Sequence, residues 1–154
     1  MDTKWINKGE DLMYIGASEH TLDEKNRFFL PARFRKSFKH KKFIMTAGFD
    51  TCILLYPLDN WRRLLHRLEA LPSIGKKDFR WFKRFLLSQA VEISLDAQNR
   101  VLIPKSLLRY AKIKNTVVVI GVQDKIEIWA KEIWHSNWER IRKKSYTLAE
   151  DLSI

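Results

Sequence analysis

The sequence predicts an α+β protein made of two tandem copies of one strand-and-helix unit around a shared core. Three observations carry that reading. First, LDEKNRFFLP (residues 22–31) and LDAQNRVLIP (residues 95–104) spell the same charged turn between apolar flanks and a proline. Second, an offset of 73 positions aligns the halves without a gap from about residue 21 to 61. It places Leu22 on Leu95, Asp23 on Asp96, Asn26 on Asn99, Arg27 on Arg100, Pro31 on Pro104, Gly48 on Gly121 and Trp61 on Trp134. An offset held over that span marks duplication of a supersecondary unit. Third, strand-length apolar runs alternate with short helical runs in both copies. At 154 residues the chain suits one ordinary core, or two small units that share one.

Each unit opens on an extended segment, LMYIGASEHTL or AVEISL, that runs into the D-x-x-N turn. A short strand returns from it, RFFL or RVLI. Proline then opens a short helix, PARFRKSF or PKSLLRYA, at the first position, where its missing N–H and fixed φ cost nothing. Two further strands follow in each unit, FIMTAG with TCILLY and TVVVIG with KIEIWA, joined by tight glycine-containing connections. An amphipathic helix closes each unit. In the first, Leu58, Trp61, Leu64, Leu65 and Leu68 fall at helical spacing; in the second, Ile133, Trp134, Trp138 and Ile141 do. Between the units, LPSIG breaks the chain, and KKDFRWFKRFLLSQ reads as a connecting helix with Phe79, Phe82, Phe85 and Leu86 on one face. The expected boundaries are 1–12 for an N-terminal extension, 13–71 for the first unit, 72–89 for the connecting helix, 90–143 for the second unit and 144–154 for a tail.

The turns are the chemically pointed feature. Asp23 and Asp96 can accept hydrogen bonds from backbone two residues on and fix the bend. Asn26 and Asn99 suit a closing residue with φ > 0, at a cost of about 1 kcal/mol relative to glycine. The bend holds Arg27 and Arg100 at the start of a returning strand. A guanidinium there has lost much of the freedom that binding would remove, and its planar fork suits phosphate or guanine. The competing reading is an ion pair to Asp23 or Asp96 that staples the turn. An exposed pair of that kind is worth only about 0.2–1 kcal/mol, a weak reason to spell it twice. The aspartates themselves read as turn-formers.

Charge sets the partner class. Lys and Arg number 29 against 18 Asp and Glu, a net charge of +11, which attracts polyanions, nucleic acid first and acidic membrane surface second. No run of eighteen apolar residues and no signal-peptide core is present, so a cytoplasmic protein is expected. The single cysteine, Cys52, excludes an internal disulfide and a cysteine zinc cage, and reads as a small buried hydrophobe. His20, His40, His66 and His135 show no metal-ligand spacing and no Ser or Cys partner, and five glycines leave no phosphate-cradling loop. An aspartic dyad drawn from the two turns fails, because an arginine four residues on would hold each carboxylate ionised instead of sharing a proton. No catalytic residue, metal, cofactor or small-molecule substrate is therefore expected.

MYIGASEHTLDEKNRFFLPARFR, YPLDNWRRLLHRLEALP, KRFLLSQAVEISLDAQNRVLIPKSLLRYAKI and VVVIGVQDKIEIWAKEIW together resemble the MraZ family of bacterial transcriptional regulators. The resemblance spans roughly residues 13 to 140 and rests most specifically on the doubled D-x-x-x-R with its Leu/Ile-Pro tail. It implies tandem AbrB-like units in one compact pseudo-twofold, barrel-like domain, and several subunits in a ring on repeated promoter boxes upstream of division and cell-wall genes. Double-stranded DNA is then the partner, at the nucleoid, with Arg27 and Arg100 carrying the contact. Lys25, Arg33, Arg35 and Lys36 stand close enough in sequence to form a second tier on phosphates. Lys76, Lys77, Arg80, Lys83 and Arg84 form either a second patch or the rim of a subunit contact. The basic-then-acidic end RIRKKSYTLAEDLSI reads as a fraying helix.

The chain departs from the family in having Asn26 and Asn99 where glycine is usual, and Gln98 where the first turn has Lys25. The first turn is therefore expected to dominate DNA contact. Residues 1–12 read either as translated leader ahead of a start at Met13 or as a basic arm. Two other functions stand beside DNA binding. One is an AbrB-like, antitoxin-type protein-binding module, which usually has one unit and a long tail. The other is RNA binding, for which the core-like spacing of the aromatics weighs against single-stranded RNA.

Overall fold

The computed structural model describes residues 13–36, 38, 42–71 and 75–154; the N-terminal extension and His40 lie outside them. The first round of elements is β1 (Ala17–Thr21), β2 (Arg27–Phe29), α1 (Ala32–Arg35), β3 (Phe43–Ala47), β4 (Ile53–Pro57) and α2 (Leu58–Glu69). Helix α3 (Lys76–Ser88) leads into the second: β5 (Val91–Ile93), β6 (Arg100–Leu102), α4 (Lys105–Tyr110), β7 (Thr116–Gly121), β8 (Ile126–Ala130) and α5 (Lys131–Asp151). Pro31 and Pro104 stand one residue before α1 and α4, not at their first positions. The ring holds φ at −53° and −61°, while ψ stays extended at 141° and 147°. Helix α5 runs unbroken to Asp151, so the last residues continue the closing helix of the second unit.

The units are tandem in sequence but interleaved in space. Strands β3 and β4 form one antiparallel hairpin and β7 and β8 another, as the glycine-containing connections predict. The strands around the arginine turns do otherwise. Strand β1 pairs with β7 of the other half, β5 pairs with β3 of the other half, and β2 pairs with β6. Neither D-x-x-N turn therefore closes an ordinary two-stranded hairpin. The main sheet runs β1-β7-β8-β4-β3-β5, joined at its middle by β4 and β8, and β2-β6 is a separate ribbon. With β1 and β5 left as its edges, the sheet is open and not a closed barrel.

The period-2 alternation of the four hairpin strands decides the layers. Met45, Ile53, Leu55, Val117, Val119, Ile126 and Ile128 face one way, into a core completed by Phe28 and Val101 of the ribbon and by Leu30, Phe34, Ile103 and Leu107. Ile44, Leu54, Tyr56, Val118, Ile120 and Trp129 face the other way, against Trp61 of α2 and Leu86 of α3. The sheet is thus covered on both faces, which is why its strands read as continuous apolar runs. Of the helical stripes, Leu58, Leu64, Leu65 and Leu68 of α2 and Phe82 of α3 pack on the second core, and Ile133 and Trp134 of α5 join them. Trp138 and Ile141 stay largely exposed.

Candidate functional site

Each turn is held by the same set of bonds. The Asp23 backbone carbonyl accepts the Asn26 N–H at 3.0 Å, and the Asp96 carbonyl accepts the Asn99 N–H at 3.0 Å. The Asp23 carboxylate accepts the backbone N–H groups of Lys25 and Arg27, both at 2.9 Å. Asp96 accepts those of Gln98 and Arg100, again at 2.9 Å. Asn26 and Asn99 both sit at φ 62°, in the left-handed region. The second carboxylate oxygen of each aspartate takes the guanidinium of its own turn: Arg27 Nε at 2.9 Å and Arg100 Nε at 2.7 Å.

The interleaving brings the turns together. Across the ribbon, Arg27 pairs with Leu102, Phe28 with Val101 and Phe29 with Arg100. The Asn99 carbonyl accepts the Leu30 N–H, and the Asn26 carbonyl accepts the Ile103 N–H, both at 3.0 Å, so each turn is stitched to the strand of the other. The Arg100 guanidinium also comes within 3.8 Å of Asp23. Two arginines and two aspartates, 73 positions apart in sequence, make one cluster.

Both guanidiniums are partly covered, with side-chain exposures of 24% and 20% for Arg27 and Arg100. They are neither free in solvent nor sealed from it. The aspartates occupy the Nε of each arginine, and Nη1 of Arg100 also lies 3.8 Å from Asp23. Desolvation raises the pKa of Asp23, but bonds from the Arg27 and Lys25 backbone and the Arg27 guanidinium outweigh it and hold the carboxyl below its ordinary value. At Asp96 the Arg100 backbone bond is the largest cause of the same downward shift. The four charges of the cluster balance, so its contribution is geometry, and any positive field must come from neighbours.

Among those neighbours, Lys25 is exposed at the tip of the first turn, and Gln98 is exposed at the matching position of the second. Among the described residues neither side chain has a partner. Arg33 is exposed, lies 4.8 Å over the Phe34 ring and sits against Gly16. Arg35 is half-buried and spends its Nε on the Leu30 carbonyl at 2.7 Å, so it is more a clamp on the ribbon than a free cation. On α3, Lys83 lies 3.4 Å from Glu69, and Arg84 lies over Trp81.

Sequence reasoning passed over Phe29 and Leu102. These stand 55% and 49% exposed on the same outer face of the ribbon as the arginines. The alternation in RFFL and RVLI carried that signal, since residues two apart in a strand share a face. Glu24, beside Lys25 at the first tip, was also not singled out.

No group of three or more metal-ligating side chains occurs among the described residues. Cys52 is buried, and desolvation, helped by Glu127 and Asp50, pushes its thiol up to about 12, which leaves no thiolate nucleophile. Among the described residues no helix is long and apolar enough to cross a membrane.

Known proteins match the chain in sequence. A family model described as "MraZ protein, putative antitoxin-like" matches residues 13–85 and again 86–152, once per repeat. A "Transcriptional regulator MraZ" of Caldanaerobacter subterraneus subsp. tengcongensis is 46% identical over 122 residues, covering 79% of this chain and 84% of the relative. Proteins of the same description from Thermoanaerobacter sp. (strain X514) and Clostridium tetani are 45% identical over 122 residues and 43% identical over 138 residues. The first alignment covers 79% of this chain and 84% of the relative, the second 86% and 96%. With both repeats matched and identity sustained over most of each relative, the chain belongs to the MraZ family, whose members are transcriptional regulators and not enzymes.

Proposed function

We propose that the chain is a sequence-specific regulator that binds double-stranded DNA through its two arginine turns. The observation that supports this reading is the diagonal placement of Arg27 and Arg100 on one face of the ribbon, on turns already braced by their own aspartates. A braced guanidinium loses little entropy on binding, and Nη donors not spent on its aspartate suit phosphate or a guanine edge. A two-stranded ribbon is also narrow enough to enter a major groove. Lys25 and Arg33 supply phosphate contacts, with Arg35 supporting the ribbon. The excess of basic residues gives the long-range attraction.

The targets in this reading are repeated boxes upstream of division and cell-wall genes, bound at the nucleoid in the cytoplasm. Several subunits assemble into a ring, so that weak single contacts combine through effective concentration. No membrane and no small-molecule substrate takes part.

The test is a gel shift on the DNA upstream of the protein's own gene, with wild type and Arg27→Ala. The variant is expected to lose binding. Its unfolding midpoint should move only slightly, because an exposed ion pair of this kind is worth at most about 1 kcal/mol. Wild-type affinity should also fall with salt at a log–log slope of about −0.9 per phosphate contacted. Unchanged binding by Arg27→Ala, or a flat salt response, would remove the turns from the interface.

A further inference from the structure

The two turns share a backbone but differ at their tips. Bond for bond the frames match, from the φ of 62° at Asn26 and Asn99 to the aspartate contacts on the backbone. Arg27 and Arg100 are chemically identical and each gives its Nε to the aspartate of its own turn, while Arg100 also lies within 3.8 Å of Asp23 in the other turn. The clearest chemical difference between the two turns lies at their tips. The tips are Glu24-Lys25 in the first turn and Ala97-Gln98 in the second, all four exposed. Each pair sums to zero charge, so the tips differ in hydrogen-bonding chemistry more than in electrostatic pull.

That difference is specific. The amide of Gln98 offers a donor and an acceptor side by side, the complement of adenine N6–H and N7 in a major groove. Lysine offers donors only, which suit phosphate or the guanine O6 and N7 acceptors. Ala97 removes bulk and charge next to Gln98, so the second tip can approach a base edge closely. Gln98 also starts from a good position, because its backbone N–H is pinned to the Asp96 carboxylate and its side chain has no partner among the described residues.

We propose that Gln98 is a specificity-determining residue that recognises an adenine through its N6 and N7 edge, while Lys25 at the equivalent position contacts phosphate or guanine. This rests on the DNA-binding reading above and adds base discrimination by the second turn to it. The pseudo-symmetric scaffold then presents two chemically different readers, and the bound sequence is chemically asymmetric beneath them.

The experiment selects duplexes from a library in which the DNA upstream of the gene is randomised, using wild type, Gln98→Ala and Gln98→Lys. Thermal unfolding of each protein serves as a folding control. The exposed side chain has no structural bond to lose, so all three should unfold alike. Wild type is expected to require adenine at one position. Gln98→Ala should lose about tenfold or more of that discrimination, and Gln98→Lys should shift it toward guanine. Replacing that adenine by 7-deazaadenine, which lacks the N7 acceptor, should weaken wild type and leave Gln98→Ala unaffected. The same base preference in wild type and Gln98→Ala would overturn the assignment while leaving DNA binding intact. Failure of wild type to bind any duplex would instead overturn the DNA-binding reading, and this assignment with it.

Discussion

Asp23 and Asp96 do two jobs with one carboxylate each. One oxygen gathers two backbone N–H groups and sets the bend; the other takes the arginine Nε. Both carboxyls are held below their ordinary pKa, and the sign of the consequence follows. A carboxyl depressed in the folded state stabilises it fully above the unfolded value, about pH 4, and that contribution disappears as pH falls through the folded value. An acid titration of stability should therefore show a loss beginning below about pH 4. The double variant Asp23→Asn with Asp96→Asn should be less stable at neutral pH and show a smaller acid loss than wild type. Parallel profiles for the two proteins would show that these carboxylates are not linked to folding.

At the scale of the element, the β2–β6 ribbon is only three residues long on each strand, too short to stand by itself. Its anchorage is the central pair, Phe28 and Val101, which is buried on the inner face while Arg27, Phe29, Arg100 and Leu102 point outward. Phe28→Ala should cost about 3–5 kcal/mol, as expected for deleting a buried ring, measured by urea unfolding. The same variant should weaken DNA binding although Phe28 touches no solvent, since the turns would lose their platform. A cost under about 1 kcal/mol would mean that the ribbon is held mainly by its turn bonds and not by packing.

For the whole molecule, interleaving makes the halves interdependent. Strand β1 has its ladder on β7 and β5 has its ladder on β3, so a separated half would carry an unpaired edge and half a core. The fragment 13–71 expressed alone is expected to be unfolded or to pair with a second copy of itself, and to regain native-like structure on mixing with the fragment 75–154. Size exclusion with hydrogen exchange distinguishes these outcomes. A folded monomer of either fragment would contradict the interleaved arrangement.

Much of this was open to reading from residues alone. The repeat offset, the Asp–Asn turns and the helix spacing of Leu58, Trp61, Leu64, Leu65 and Leu68 are local signals, set by backbone preferences and burial periodicity over a few residues. Strand partners are not local. The run LDEKNRFFLP predicts a turn with a strand on each side, but it says nothing of whether those strands pair with each other or across the repeat. Duplication itself makes the two choices nearly equivalent in sequence. The tertiary structure decided for exchange, because the outer strands of each half can then bury Phe28, Val101 and their neighbours in one common core. Only that exchange sets Arg27 beside Arg100. The sequence determined that there are two such arginines; the fold determined that they form one site.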